Sequence, residues 1–272
     1  MFGKLMKYEL RYLSRIFAPM WAIVLILSVL TRLTLKPDLD GMMVIEGSEA
    51  ILPILIVMLT VFAIITMMIV ATVVLLQRFY KGMYGDEGYL MFTLPVTTGS
   101  LIHSKGLSAL LMMLGTALIT YVGVLIMVSY PQIWQQLDVN WSDMFQMLLD
   151  MNGLTELQFV VLFIWVMVLG ILTVAQGIYL VYLAISIGQL WKKHPVAGAI
   201  VAYYVLTLVI NVAVGALGSA GLVHLPELFG ANVEYGAATA ATLIGATLYC
   251  MVLIAISVLG TKLILDKKLN IA

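Results

Sequence analysis

Six stretches of this chain are apolar for about the length a helix needs to cross a bilayer. They fall near residues 17–35, 51–76, 106–128, 157–187, 196–217 and 237–265. A helix rises 1.5 Å per residue, so roughly 18 to 20 apolar residues cross a hydrocarbon core of about 30 Å. The expected fold class is therefore all-α: a polytopic membrane protein with six transmembrane helices. The residues are 63% hydrophobic and 10% charged, against about 25% charged in an ordinary soluble domain. That balance leaves no room for a soluble catalytic domain, and 1–272 reads as one transmembrane domain. The second, fourth and sixth runs exceed the core thickness and should tilt or project.

Six crossings put both termini on one side, and charge says which. Lys4, Lys7, Arg11, Arg15, Arg78, Lys81, Lys105, Lys192, Lys193, Lys262, Lys267 and Lys268 fall on that side, with only Arg32 and Lys36 on the other. By the positive-inside rule both termini are cytoplasmic. Asp38, Asp40, Glu46, Glu49, Asp138, Asp143, Asp150, Glu156, Glu227 and Glu234 fall outside. The basic N-terminus precedes an apolar run without a small-residue cleavage site, so it reads as an uncleaved first span. The lone Cys250 offers neither a disulfide nor a metal-site spacing.

Residues 1–16 read as an amphipathic elbow helix. Leu5, Tyr8, Tyr12 and Ile16 recur at helical spacing on one side, while Lys4, Lys7, Arg11 and Arg15 recur on the other. Such a helix lies at headgroup depth, with Pro19 near the bend into the first span. It either anchors that span or also meets a cytoplasmic partner.

Between the second and third runs lies a polar island, 77–105. Residues 77–82 should continue the second helix, and Gly82 and Gly85 should loosen it. Asp86 and Glu87 suit the first turn of a short helix, where acids meet the positive end of its dipole. Leu94-Pro95 should end that helix, and Thr97, Thr98 and Ser100 should cap the next. Tyr89, Leu90, Met91, Phe92 and Leu94 crowd large apolar groups into a segment that needs lipid or a protein pocket.

This pattern resembles the signature of type-2 ABC export permeases: acid-Glu-Gly-x-Leu, then Leu-Pro-Val, then Ser/Thr and a Lys before an apolar span. Glu87, Gly88, Leu90, Leu94, Pro95 and Lys105 carry it. Tyr89 stands where the family often has a small polar residue. The resemblance implies a cytoplasmic coupling helix that docks on an ATP-binding subunit through Asp86, Glu87, Gly88, Tyr89, Leu90, Met91, Phe92, Leu94 and Pro95. It also implies the elbow helix, with Lys7, Arg11 and Arg15, before the first span. Two copies of the ATP-binding subunit and a second permease subunit, as homo- or heterodimer, would complete the complex. ATP and Mg would belong to the partner subunit, because the chain has no Gly-x-x-x-x-Gly-Lys-Ser/Thr loop of its own. The chain itself is expected to be no enzyme and to hold no cofactor or metal.

The remaining segments say less. Residues 130–156 are acidic and amphipathic, so one or two short outer helices are expected, with Gly153 as a stop. Residues 218–236 are outside and resemble the family's re-entrant hairpin before the last span. His224 and Glu227 share one helix face there, but two ligands do not make a metal site. Pro195 should start the fifth span, and His194 reads as a surface residue.

No acid or base lies deep in the spans, which argues against a proton-coupled carrier. The deep polar groups Thr60, Thr66, Thr72, Gln176, Tyr203, Tyr204 and Asn211 either bridge helices or contact cargo. On the resemblance, Thr60, Thr66, Tyr204 and Asn211 are the substrate-path residues. The expected function is the permease subunit of an ATP-driven exporter of hydrophobic or amphipathic cargo, such as a peptide or lipid-like compound. It would sit in a prokaryotic plasma membrane, in contact with membrane lipids and without nucleic acid. The alternative is a non-transporting membrane sensor or assembly partner of an ATPase.

Overall fold

A computed structural model describes residues 2–35, 51–85, 87–88, 91, 93, 95–129, 141–152, 155–191, 193–219 and 235–269. The chain is all-helical, with no strand among the described residues. We label the helices α1 (Phe2–Thr34), α2 (Ile51–Tyr84), α3 (Thr98–Val128), α4 (Trp141–Asn152), α5 (Glu156–Gly188), α6 (Pro195–Ser219) and α7 (Tyr235–Leu269). All but α4 are long and apolar enough to cross a membrane, so the chain is a multi-pass membrane protein.

The helix ends reach past the apolar runs, for local reasons. α2 continues through Gln77 to Tyr84, as its polar but helix-compatible sequence predicts. α3 begins at Thr98 because the Thr97 hydroxyl accepts the Ser100 amide at 3.3 Å, an N-cap. Pro195 opens α6, where its missing N–H is not needed. α5 starts with a capping box: Thr155 Oγ1 accepts the Gln158 amide, and the Thr155 amide donates to Gln158 Oε1 at 2.9 Å. A short helix, α4, forms in the 130–156 segment, with Asp143 in its first turn. The hairpin expected at 218–236 lies almost wholly outside the described residues, as do His224 and Glu227.

Two expectations about the N-terminus change. The basic segment and the first span form one continuous helix, with Pro19 inside α1. A proline removes a single backbone donor, and here the turns on both sides carry the helix through. The buried face is also not the expected one. Tyr8 and Tyr12 are 67% and 47% exposed, while Glu9, Leu13 and Phe17 are buried. The packing face is thus turned by about 100°, one residue step, from the Leu5–Tyr8–Tyr12–Ile16 side.

The chain divides into two compact units, Met1–Arg78 with Ser108–Trp141, and Phe79–Leu107 with Ser142–Ala272. In the first, α1 packs against α3 through a close fit. A Cβ on Gly115 would meet Trp21 Cη2 at 2.9 Å, and one on Gly123 would meet Ser28 Oγ at 2.8 Å. Trp21 Nε1 donates to Thr116 Oγ1 at 3.1 Å. Between α1 and α2, Thr31 and Thr60 share a hydroxyl–hydroxyl bond of 2.7 Å, both fully buried. Thr60 also bonds the Ile56 carbonyl at 2.8 Å. Each hydroxyl is satisfied without water, which a lipid-exposed bundle requires.

In the second unit α5 packs on both α6 and α7. Gly188 and Gly198 let the α5 and α6 backbones approach each other at their connection. Farther along, Cys250 Sγ of α7 donates to Gln176 Oε1 of α5 at 3.4 Å. Phe145 of α4 meets Phe159 of α5 edge-on, with centroids 5.1 Å apart, so α4 folds against the start of α5.

Candidate functional site: the α2–α3 connection and the N-terminal basic face

In the second unit, the end of α2, the start of α3 and the last turns of α5 form a tight aromatic and polar cluster. Phe79 stacks on Tyr182, with centroids 3.7 Å apart and planes within 6°. The Tyr182 hydroxyl donates to the Lys105 carbonyl at 3.4 Å. Tyr179 lies over Gly106, where a Cβ would meet its hydroxyl at 2.6 Å, and its oxygen is 3.1 Å from His103 Nδ1. The Lys105 stem crosses Gly82 where only a hydrogen fits, and Lys105 is 5% exposed. Thr98 Oγ1 donates to Asp266 Oδ1 at 2.9 Å, tying the first turn of α3 to the last turns of α7.

The connection leaves α2 through two close backbone approaches. The Gly85 amide donates to the Tyr80 carbonyl at 3.2 Å, and the Gly88 amide donates to the Gly85 carbonyl at 2.8 Å. A Cβ at Gly85 would lie 2.8 Å from the Lys81 carbonyl oxygen, and one at Gly88 would lie 2.8 Å from that of Met83. Any larger residue would push the strap off the helix end. Gly85 therefore fastens the exit from α2 rather than loosening it.

Of the residues expected to dock a partner, Glu87 is exposed and helical, Gly88 is buried, Met91 is half-buried and helical, and Pro95 is exposed. Asp86, Tyr89, Leu90, Phe92 and Leu94 lie outside the described residues. Lys105 is buried within the cluster.

In the first unit, Lys7, Arg11 and Arg15 are exposed along one face of α1 together with Lys4. The opposite face holds a buried ion pair that the sequence reading missed. Arg78 Nε donates to Glu9 Oε2 at 2.8 Å, and Arg78 Nη2 donates to Glu9 Oε1 at 3.3 Å. The guanidinium also lies 4.3 Å from the centroid of Tyr12. The signal was present: Glu9 sits four residues before Leu13 and eight before Phe17, so an acid occupies an apolar stripe. Such an acid needs a buried cation.

Of the expected substrate-path residues, Thr60 and Thr66 lie on different faces of α2. Thr60 is fully buried and bridges α1 and α2. Thr66, six residues on, is exposed on another side of α2. Tyr204 and Asn211, seven residues apart on α6, are both exposed and lie on one face. Gln176 and Thr60 take the helix-bridging role open to the deep polar groups.

The sequence matches no protein-family model, no curated protein and no solved structure.

Proposed function

We propose that this chain is the membrane-spanning permease subunit of an ATP-driven ABC exporter. It works with two copies of a separate ATP-binding subunit, which supply ATP and Mg, and with a second permease subunit. Both termini and the α2–α3 connection face the cytoplasm of a prokaryotic cell, as the basic residues argue. The cargo is hydrophobic or amphipathic, a peptide or lipid-like compound, in keeping with spans that carry few polar groups.

The observation that carries this reading is the anchoring of the α2–α3 connection. Gly85 and Gly88 press it onto the end of α2, Phe79 of α2 stacks on Tyr182 of α5, and Thr98 of α3 bonds Asp266 of α7. A load applied at Thr98 has a route into α7, and one applied at the end of α2 has a route into α5, since packed interiors transmit displacement. Tyr204 and Asn211 form an exposed polar pair on α6, and an asparagine facing lipid is costly. On this reading that face meets the second permease subunit and lines the path.

Two measurements test the proposal. A mild-detergent purification from the native cell should retain a stoichiometric ATP-binding subunit, identified by mass spectrometry. In vesicles, the Glu87→Arg/Leu90→Asp chain should keep its fold but lose ATP-dependent transport. Reproducible absence of an ATPase from a folded, well-extracted sample would refute the assignment. Co-purification of an ATPase with no ATP-dependent cargo movement would favour a membrane sensor or assembly partner instead.

A further inference from the structure

The first seventeen residues hold four cations and one acid. At 100° per residue, Lys4, Lys7, Arg11 and Arg15 fall within an arc of about 80° on α1. All four are exposed. Glu9, the acid that would neutralise them, is on the far side and is held in two bonds by Arg78. Among the described residues, none of the four cations is ion-paired.

The same ion pair sets the depth of the face. Arg78 lies two residues beyond Leu76, the end of the apolar run of α2. That places it among the polar residues that follow the apolar run. Glu9 touches it at 2.8 Å, so this turn of α1 is at the same level. Lys7 and Arg11 lie about 3 Å along the axis from Glu9, and Lys4 and Arg15 within about 9 Å. Flexible lysine and arginine stems cover that distance. Tyr8 and Tyr12 lie along one edge of the stripe and are exposed, the placement aromatic residues favour at a membrane–water boundary.

We propose that the Lys4–Lys7–Arg11–Arg15 face of α1 is a binding site for anionic phospholipid headgroups, held at interfacial depth by the Glu9–Arg78 pair. The phosphate groups are the complement of the exposed cations, and the hydroxyls of Tyr8 and Tyr12 reach the same layer. This inference stands apart from the transport proposal, because it needs only the first unit and a membrane.

The full-length protein, reconstituted in phosphatidylcholine bilayers, tests it with spin-labelled phosphatidylglycerol and spin-labelled phosphatidylcholine as probes. Electron paramagnetic resonance reads the fraction of each probe immobilised by the protein. The unsubstituted chain should prefer phosphatidylglycerol by about fivefold or more, the effect of at least one interfacial cation, and 0.5 M salt should weaken the preference. The K4Q/K7Q/R11Q/R15Q chain should lose most of it, while the charge-conserving K4R/K7R/R11K/R15K chain should keep it. The K262Q/K267Q chain, altered at exposed cations of α7, should keep it too. Retention of the preference by the four-glutamine chain would overturn the site. An equal loss in K262Q/K267Q would also overturn it, by showing a diffuse charge effect. A four-glutamine chain that keeps the lipid preference but loses a co-purifying protein would assign the face to a protein partner.

Discussion

Glu9 and Arg78 show how one residue pair sets the register between two helices. The pair is side-on, doubly bonded and mostly buried, with side chains 7% and 16% exposed. Removing one partner from such a pair leaves an uncompensated charge where water is scarce. Glu9→Gln should therefore lower stability by about 2 kcal/mol, below the 3–5 kcal/mol of fully buried pairs because Arg78 retains some exposure. Glu9→Gln/Arg78→Gln should cost less than Glu9→Gln alone. Thermal unfolding in detergent, followed by size-exclusion profile, reads both. Equal stability of Glu9→Gln and the unsubstituted chain would mean that the pair does not hold α1 against α2. The pair was hard to read from sequence because its members lie 69 positions apart. Only the acid within an apolar stripe hinted at it.

Elements depend on what backs onto their ends. Gly88 and Gly99 are alike in sequence terms, since both flank the turn between α2 and α3. A Cβ on Gly88 would sit 2.8 Å from the Met83 carbonyl oxygen, whereas one on Gly99 meets nothing within 4 Å. Gly88→Ala should destabilise by about 1–3 kcal/mol, the cost of an overpacked contact. Gly99→Ala, in the first turn of α3, should be neutral or stabilise by up to about 1 kcal/mol through helix propensity. Matched melting curves of the two variants check the contrast, and a Gly88→Ala chain as stable as Gly99→Ala would contradict it. Elements were the most legible level of this chain. The apolar runs located all six long helices, and Thr97 and Pro195 marked starts through their own cap chemistry. The reach of α1 back to Phe2 was less legible, because Pro19 suggested a break. Its cost falls on one backbone bond, and neighbouring turns absorb it.

At the scale of the whole chain, six crossings and the basic bias together make a topology that can be measured. Single cysteines replacing Lys4 and Lys267, in a chain with the buried Cys250 replaced by Ala, should react with a membrane-impermeant maleimide only once the cytoplasmic face is opened. A cysteine replacing Asp143 in α4 should react in intact cells. Labelling of Lys4 and Lys267 positions from opposite sides would require an odd number of crossings.

The sequence by itself determined the class of the protein and the number and place of its long helices. Those features follow from local chemistry: apolar run length, cap residues and charge, each set by neighbours within a few positions. Only the tertiary structure decided which face of α1 is buried, that Thr60 bridges to Thr31, that Lys105 is enclosed over Gly82, and that Phe79 stacks on Tyr182. In a chain this apolar nearly every helix face looks fit for burial. The choice among them rests on close steric fits and single polar pairs between residues far apart in sequence, which periodicity cannot register.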